Sequence, residues 1–180
     1  MVHDHIFINK NEKENHFLRQ KTKEVDFTSF SPAERKSLIE KMRKMMRAAR
    51  GVGLSANQIG LPHRMFVAEI PSQDGILKFY AVFNPTIEKY SKEQDFLEEG
   101  CLSVPGTYGE VKRSLEVVLK GLDKNGKVVK MKAWGLLAHV FQHEVDHLDG
   151  KLFIDKAREV HETPTTKRLQ KREKHSRTGK

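Results

Sequence analysis

Hydrophobic positions first form a regular pattern over residues 31–50, where their spacing predicts a helix. Ser31 and Glu34 match a capping box, and Pro32 suits the first helical position. Gly51 is expected to end the helix as its C′ residue. The side chains that we expect to be buried share one face of this helix: Leu38, Met42, Met45, Met46 and Ala49.

Extended segments follow, and their composition predicts two pairs of strands. Residues 65–70 and 76–83 form the first pair, separated by a turn at 71–75. The second pair, 115–122 and 128–134, reads as a hairpin whose turn is the sequence Asp-Lys-Asn-Gly.

The last strong pattern predicts a helix over 136–148, ended by Gly150. A helix, then strands, then a helix is typical of an α+β fold rather than of alternating βαβ units. We therefore expect mixed or antiparallel strands packed around a central C-terminal helix, with an N-terminal helix beside them.

Length and composition predict the number of domains and the cellular location. With 180 residues, 37% hydrophobic and 32% charged, the chain suits one globular domain. No apolar run reaches the roughly 18 residues that cross a bilayer, and the first residues, MVHDHIFINKNEKENH, contain no apolar signal core. These features predict a cytoplasmic protein without a membrane partner.

The positive charge is concentrated at the C-terminal end. Of the net charge of +9, residues 167–180 carry +6, from seven Lys/Arg and one Glu. A basic segment attracts polyanions through counterion release, so it is a candidate contact for the ribosome, without specific recognition of DNA. The alternative interpretation is a flexible, solvated end.

Candidate metal chemistry lies in the segment QHEVDHLDG, residues 142–150. On a helix, His143 and His147 project from one face and can share a divalent ion, and Glu144 between them can reach a water on that ion. HExxH names no third ligand. A metzincin would need histidine at position 153, where this chain has Phe153.

Two residues are candidates for the third ligand. His139 lies one further turn up the helix, and a turn rises about 5.4 Å, too far for three histidines to meet at bonds of about 2 Å. Cys101, the single cysteine, lies in EEGCLSVPG, which we expect to be a loop that brings the thiolate to the helix. Cys-His-His with one open position is a catalytic arrangement that suits iron or zinc.

Three segments in order, GVGLSANQIG (51–60), EEGCLSVPG (98–106) and QHEVDHLDG (142–150), resemble the motifs of the peptide deformylase family. The resemblance covers roughly residues 16–155. It implies a variable segment 1–15, a catalytic domain 16–160 and a basic, flexible tail 161–180. Ser55 stands where the family often has alanine, and we expect this departure to touch neither a ligand nor the base.

The resemblance implies a hydrolase that removes formyl from the N-terminal N-formylmethionine of new polypeptides and releases formate. It implies one divalent ion, Fe²⁺ in cells, which Zn²⁺, Ni²⁺ or Co²⁺ can replace. The matching positions are the metal ligands Cys101, His143 and His147, the acid/base Glu144, the formyl-oxygen donors Gln58 and the Leu102 N–H, and the cleft residues Val52 and Gly53.

Five further residues are candidates for supporting roles. Leu136 and Val140 lie two turns and one turn before His143, and are expected to line a pocket for the methionine side chain. Glu99 and Arg113 form either an ion pair behind the ligands or a surface pair. Asp146 either orients a ligand histidine or is a surface charge.

Two other functions stay open at this point. A general metallopeptidase would use the same metal chemistry in a wider cleft, but Cys101 does not fit the ligand patterns of those enzymes. A non-enzymatic RNA-binding protein with a structural metal would need a fourth protein ligand.

Overall fold

The computed structural model describes residues 3–72 and 74–162. The α-helices are α1 (Glu12–Leu18), α2 (Pro32–Ala48) and α3 (Gly135–Leu148), and two 3-10 helices span Ala56–Ile59 and Phe153–Asp155. The strands, in chain order, are β1 (Gly53–Ser55), β2 (Met65–Pro71), β3 (Leu77–Tyr90), β4 (Gln94–Cys101), β5 (Val104–Ser114), β6 (Glu116–Leu122), β7 (Val128–Trp134) and β8 (Val160–Glu162).

The strands form two antiparallel sheets. One has five strands in the order β1-β2-β3-β6-β7, and the other has three in the order β4-β5-β8. Helix α3 contacts strands of both sheets, so it lies between them. The predicted α+β class, with strands around a central C-terminal helix, is confirmed.

Helix α3 is held by its hydrophobic face. Ala138, Phe141, Val145 and Leu148 are buried in one cluster with residues of the five-stranded sheet. The Phe141 ring packs against Phe66, 5.6 Å between ring centroids. Because this face is anchored on the larger sheet, other side chains of α3, including the HExxH histidines, face the β4–β5 hairpin.

Helix α2 begins as predicted and ends differently. The Ser31–Glu34 capping box is present. At the other end Arg50, with φ 57°, occupies the left-handed C′ position that the sequence assigned to Gly51. The N–H of Gly51 donates to Met46 O, and that of Arg50 donates to Arg47 O, both at 2.9 Å, so the helix ends in a Schellman motif shifted by one residue.

The predicted hairpin of β6 and β7 is confirmed. Asp123 accepts the backbone N–H groups of Asn125 and Lys127, at 2.8 and 2.9 Å, and Gly126 has φ 82°, so the turn chemistry lies where the sequence put it. Strand β3, predicted to stop at residue 83, continues to Tyr90 past an irregularity in pairing beside Asn84, which has φ 48°.

The prediction of a loop around Cys101 is wrong. The segment is the tip of a hairpin in which β4 pairs with β5 along most of their length, and only Leu102 and Ser103 form the turn. Charged residues on the open face of β4 and glycines in both strands obscure the alternation that marks a strand, so the pattern was missed.

The N-terminal segment before α1 packs on two of the three sequence motifs, 51–60 and 98–106. Phe7 N–H donates to Gln58 O at 2.7 Å, and Asn9 N–H donates to Ser103 O at 2.8 Å, so this segment joins the first two motifs. The division into segments 1–15, 16–160 and 161–180 stays a prediction, and most of the tail, 163–180, lies outside the described residues. Among the helices described, none is long and apolar enough to cross a membrane.

Candidate active site

Three candidate ligands meet between α3 and the β4–β5 hairpin. The ligand atoms of Cys101, His143 and His147 all lie within 4.8 Å of one another. Cys101 Sγ is 3.0 Å from His147 Nε2, and the two imidazole rings are 4.9 Å apart between centroids. Two turns of one helix and the end of one strand therefore bring these side chains to a single point.

The donor set fits a divalent metal. Ligands that share a tetrahedral ion at bonds of about 2.0–2.3 Å lie about 3.5 Å apart, so the observed distances, 3.0 Å for one pair and at most 4.8 Å for the others, require only small adjustments. One thiolate and two imidazoles are also the donors that zinc and ferrous iron accept. His139, half-buried one turn earlier, is not part of this group.

Electrostatics favour the thiolate that a metal requires. Burial raises the pKa of Cys101, but the positive field of His147 and hydrogen bonds from His143 and His147 outweigh it and lower the pKa to about 5. Burial lowers the pKa of His143, yet its contacts with Cys101 and Glu99 raise it well above the ordinary value. Both shifts reflect the attraction between the Cys101 sulfur and the imidazole rings.

A buried carboxylate, Glu99, holds one ligand from behind. It accepts His143 Nδ1 and His139 Nε2, each at 2.8 Å, and Arg113 Nε at 2.6 Å and Nη2 at 3.1 Å. Burial raises the pKa of Glu99, but these donors overcome it and hold the pKa well below its usual range. Because Nδ1 of His143 is engaged, its Nε2 is left to face Cys101.

The Glu99–Arg113 pair is thus buried, at 1% and 3% side-chain exposure, and not a surface pair. Neither interpretation of Asp146 is correct. Its carboxylate accepts Arg113 and Lys156 and touches no ligand histidine, because its position on α3 turns it toward β5 and away from the ligands. Asp146 completes the charge balance of Arg113, which in turn reaches the ligands only through Glu99.

Glu144 lies beside the ligand group, in contact with Ser55 and Gly53. Ser55 Oγ is 2.6 Å from Glu144 Oε2 and 3.0 Å from the Glu144 carbonyl oxygen. A Cβ at Gly53 would overlap Glu144 Oε1, so a side chain there would displace the carboxylate from its observed position. The expectation that Ser55 touches neither a ligand nor the base is therefore wrong. Burial raises the pKa of Glu144 above its ordinary value.

The amide of Gln58 is held in one orientation. Its Oε1 accepts the Ser55 N–H at 2.8 Å, so the amide nitrogen must face the other way. That Nε2 donates to Ser103 Oγ at 3.0 Å and lies 3.7 Å from Cys101 Sγ. Gln58 is buried, and its donor faces the ligand group.

Cys101, His143 and Glu144 line one pocket of about 530 Å³. Its wall includes all six candidates named from the sequence as cleft or oxygen-binding positions: Val52, Gly53, Gln58, Leu102, Leu136 and Val140. Val140 is buried and Leu136 is half exposed. The Val52 carbonyl accepts the Glu69 N–H and so points toward β2. The other atoms of Val52 are therefore the ones that can face the cleft.

Several residues at the site were missed from the sequence. The contact of His139 with Glu99 was not predicted, Arg50 lacks a recognisable motif, and Ser103 looks like an ordinary turn serine. Asn57 donates through Nδ2 to the His147 carbonyl oxygen at 2.6 Å, across 90 residues of chain. Such long-range contacts leave no local pattern. The one available signal was Ser55 itself, which stands inside a motif where the family often has alanine.

The family model described as polypeptide deformylase matches residues 8–163. The chain belongs to this family. A peptide deformylase from Mesorhizobium japonicum is 39% identical over 163 residues, which is 91% of each chain.

Solved structures of deformylases are also similar. A Synechococcus elongatus enzyme in complex with actinonin is 32% identical at a TM-score of 0.74, covering 86% of this chain and 78% of that one. An Acinetobacter baumannii enzyme with Met-Ala-Ser bound is 28% identical at a TM-score of 0.77, covering 87% and 98%.

Membership of the deformylase family confirms the activity predicted from the sequence. The chain is a hydrolase that removes the formyl group from N-formylmethionyl peptides. It belongs to a family of metalloenzymes and carries a matching Cys-His-His group. Formylated peptides are its substrates.

Proposed function

We propose that this pocket deformylates new polypeptides on a single divalent ion held by Cys101, His143 and His147, with Glu144 as acid and base. The observation that carries the proposal is the convergence of the three ligand atoms within 4.8 Å beside a buried carboxylate. Three protein ligands leave a coordination position free for chemistry.

The proposed ion is Fe²⁺, which Zn²⁺, Ni²⁺ or Co²⁺ can replace. The thiolate softens the donor set and so favours iron or zinc over magnesium or calcium. When bound, the ion supplies Lewis acidity, which polarises the formyl group and makes water easier to deprotonate near neutral pH. Metal analysis of protein purified without oxygen identifies the ion.

Glu144 moves the proton. Its carboxylate takes a proton from the attacking water and returns it to the leaving nitrogen, so that one water and one formyl amide give formate and a free amine. Burial suits this role, because it raises the pKa of the carboxyl toward the working pH. Gly53 leaves the room that Oε1 occupies.

Gln58 and the Leu102 N–H stabilise the negative charge that develops on the formyl oxygen. The Gln58 amide has its carbonyl fixed by Ser55, so its N–H groups are aimed before the substrate arrives. Leu102 follows Cys101 directly at the hairpin tip and lines the same pocket.

The methionine side chain occupies the apolar part of the cleft beside Leu136 and Val140, and the peptide passes Val52 and Gly53. The bound Met-Ala-Ser of the Acinetobacter baumannii relative supports a cleft that holds residues after the methionine. By the same reasoning, actinonin binds here as it does in the Synechococcus elongatus relative.

Glu99, Arg113 and Asp146 act as a buried support. Glu99 fixes the ring of His143, Arg113 compensates the charge of Glu99, and Asp146 compensates Arg113. A ligand whose ring is fixed in advance binds the ion without losing further rotational freedom.

The test supplies formyl-Met-Ala and measures formate with the wild type and the Glu144→Gln variant. Glutamine keeps the shape and cannot transfer the proton, so we expect kcat to fall about 10²- to 10⁴-fold with metal content unchanged. Glu12→Gln, which removes an exposed carboxylate of α1, is the matched control and should keep full activity. Equal formate release by Glu144→Gln and wild type would defeat this role, and cleavage of the Met-Ala bond would indicate a peptidase.

The enzyme is further proposed to act in the cytoplasm, beside the ribosome that makes its substrates. The support is the charge of +6 within residues 167–180, which suits the phosphate backbone of ribosomal RNA. Strand β8, which leads into this tail, pairs with β5 at Thr107, next to pocket residues Gly106 and Tyr108. Glu162, the last residue that the structure describes, therefore lies beside the mouth of the cleft.

A further inference from the structure

Arg50 has a backbone conformation that few side chains adopt. Its φ of 57° places it in the left-handed region, at the C′ position where helices usually carry glycine. A side chain with a Cβ is disfavoured there relative to glycine. Strain of this kind, kept in a long charged residue, is often found at functional sites.

The same residue lies at the cleft, and its charge is unpaired within the described part of the chain. Arg50 is exposed and lines the pocket that contains Glu144. Among the residues that the structure describes, its guanidinium makes no hydrogen bond or ion pair, whereas Arg43 and Arg47 of the preceding helix both bind Glu69. A cation without a carboxylate of its own is available to a ligand.

Chain geometry places Arg50 beyond the reacting centre. Gly53 packs against the Glu144 carboxylate, and three peptide links separate it from Arg50, so their Cα atoms lie within about 11 Å. An extended peptide advances about 3.3 Å per residue. Arg50 is thus within reach of the second or third residue after the methionine.

We propose that Arg50 is a specificity-determining residue, which makes this enzyme prefer formyl peptides with an acidic side chain two or three residues after the methionine. The inference rests on the proposed passage of the peptide through this cleft. Guanidinium binds carboxylate with two parallel hydrogen bonds, which gives the preference a geometric basis as well as charge.

The preference is modest because the pair is exposed. Ion pairs at a surface contribute little, so kcat/KM should favour glutamate over lysine by about two- to tenfold at low salt. Added salt should reduce the ratio, since exposed charges are screened. Glu98, the other exposed charge of the pocket wall, lies 3.7 Å from His161 and does not contact Arg50.

The experiment uses formyl-Met-Ala-Glu, formyl-Met-Ala-Gln and formyl-Met-Ala-Lys and their longer counterparts with one extra alanine, all as amides so that no terminal carboxylate competes. The variants are Arg50→Gln, Arg50→Lys and the control Lys44→Gln, which removes an exposed charge of α2 outside the pocket. Arg50→Gln should equalise the peptides mainly through KM. Arg50→Lys should keep part of the preference, and Lys44→Gln should keep all of it.

A fourth variant, Arg50→Gly, separates strain from function. It should melt at a higher temperature than the wild type and also lose the preference for glutamate. Wild-type enzyme that deformylates all peptides alike would overturn the inference and leave the deformylase activity intact. A preference that persists in Arg50→Gln would overturn it equally, and absence of formate from every peptide would instead defeat the function proposed for the pocket.

Discussion

Ser55 shows how one hydroxyl can govern a buried carboxylate. Its oxygen lies within hydrogen-bonding distance of two Glu144 acceptors, the Oε2 and the carbonyl oxygen, and it is completely buried. The carboxylate thus has one oxygen fixed and the other, above Gly53, directed at the cleft. Without the hydroxyl, the side chain of Glu144 would sample other rotamers.

Replacement of Ser55 by alanine should therefore lower kcat by about tenfold and leave KM unchanged, since a hydrogen bond to a charged group contributes about 1.5–3 kcal/mol. Steady-state kinetics of Ser55→Ala and of Ser114→Ala, a buried serine that does not contact Glu144, provide the comparison. Unchanged kcat in both variants would mean that packing alone holds Glu144.

Among individual residues, the sequence predicted those whose role follows from their spacing in a motif. His143, Glu144 and His147 stand in one motif, and Cys101 was the single cysteine left to join them. The contacts of Ser55 with Glu144 and of His139 with Glu99 were not predicted, because they join residues 89 and 40 positions apart. No local pattern encodes such pairs.

Among the elements, α2 and β2 are joined by a charged cluster. Glu69 of β2 accepts Arg47 Nε and Nη2, each at 2.7 Å, and Arg43 Nε at 3.1 Å. The hydrogen bonds from Arg47 and Arg43 overcome burial and lower the pKa of Glu69 to about 2. The helix that leads to Arg50 is therefore tied to the strand that pairs with β1.

This cluster predicts a pH-dependent stability. The folded pKa of Glu69 is depressed, so its contribution is present above the unfolded value of 4.5 and is lost as pH falls toward 2. Glu69→Gln should lower the free energy of unfolding by about 1–3 kcal/mol at pH 7. Urea denaturation at several pH values measures this, and a difference that does not shrink between pH 5 and 2.5 would contradict the assignment.

Elements with strong periodicity were predictable, and the weakly patterned ones were not. The α2 and α3 helices and the β6–β7 hairpin have hydrophobic stripes or a turn with a known sequence. Strands β4 and β5 have charged open faces, and α1 has only seven residues, too few to show a repeated stripe. Tertiary pairing, not local preference, makes these elements form.

For the whole molecule, the basic tail is the part that links the proposed chemistry to a partner. Deletion of residues 167–180 should weaken co-sedimentation with ribosomes at low salt and leave turnover of formyl-Met-Ala unchanged, because the pocket wall that the structure describes comes from residues 49–144. A variant with the seven tail Lys/Arg replaced by glutamine tests charge without shortening the chain. Binding that is the same in all three proteins at every salt concentration would contradict the proposal.

The pocket draws its wall from three separate stretches of chain, 49–58, 98–108 and 136–144, and the amino-terminal residues bond to two of them. Turnover therefore requires every one of these stretches to be docked. Local helices form within microseconds, but contacts between distant residues form more slowly. During refolding from denaturant, recovery of catalysis would thus report the last docking event rather than the appearance of helix.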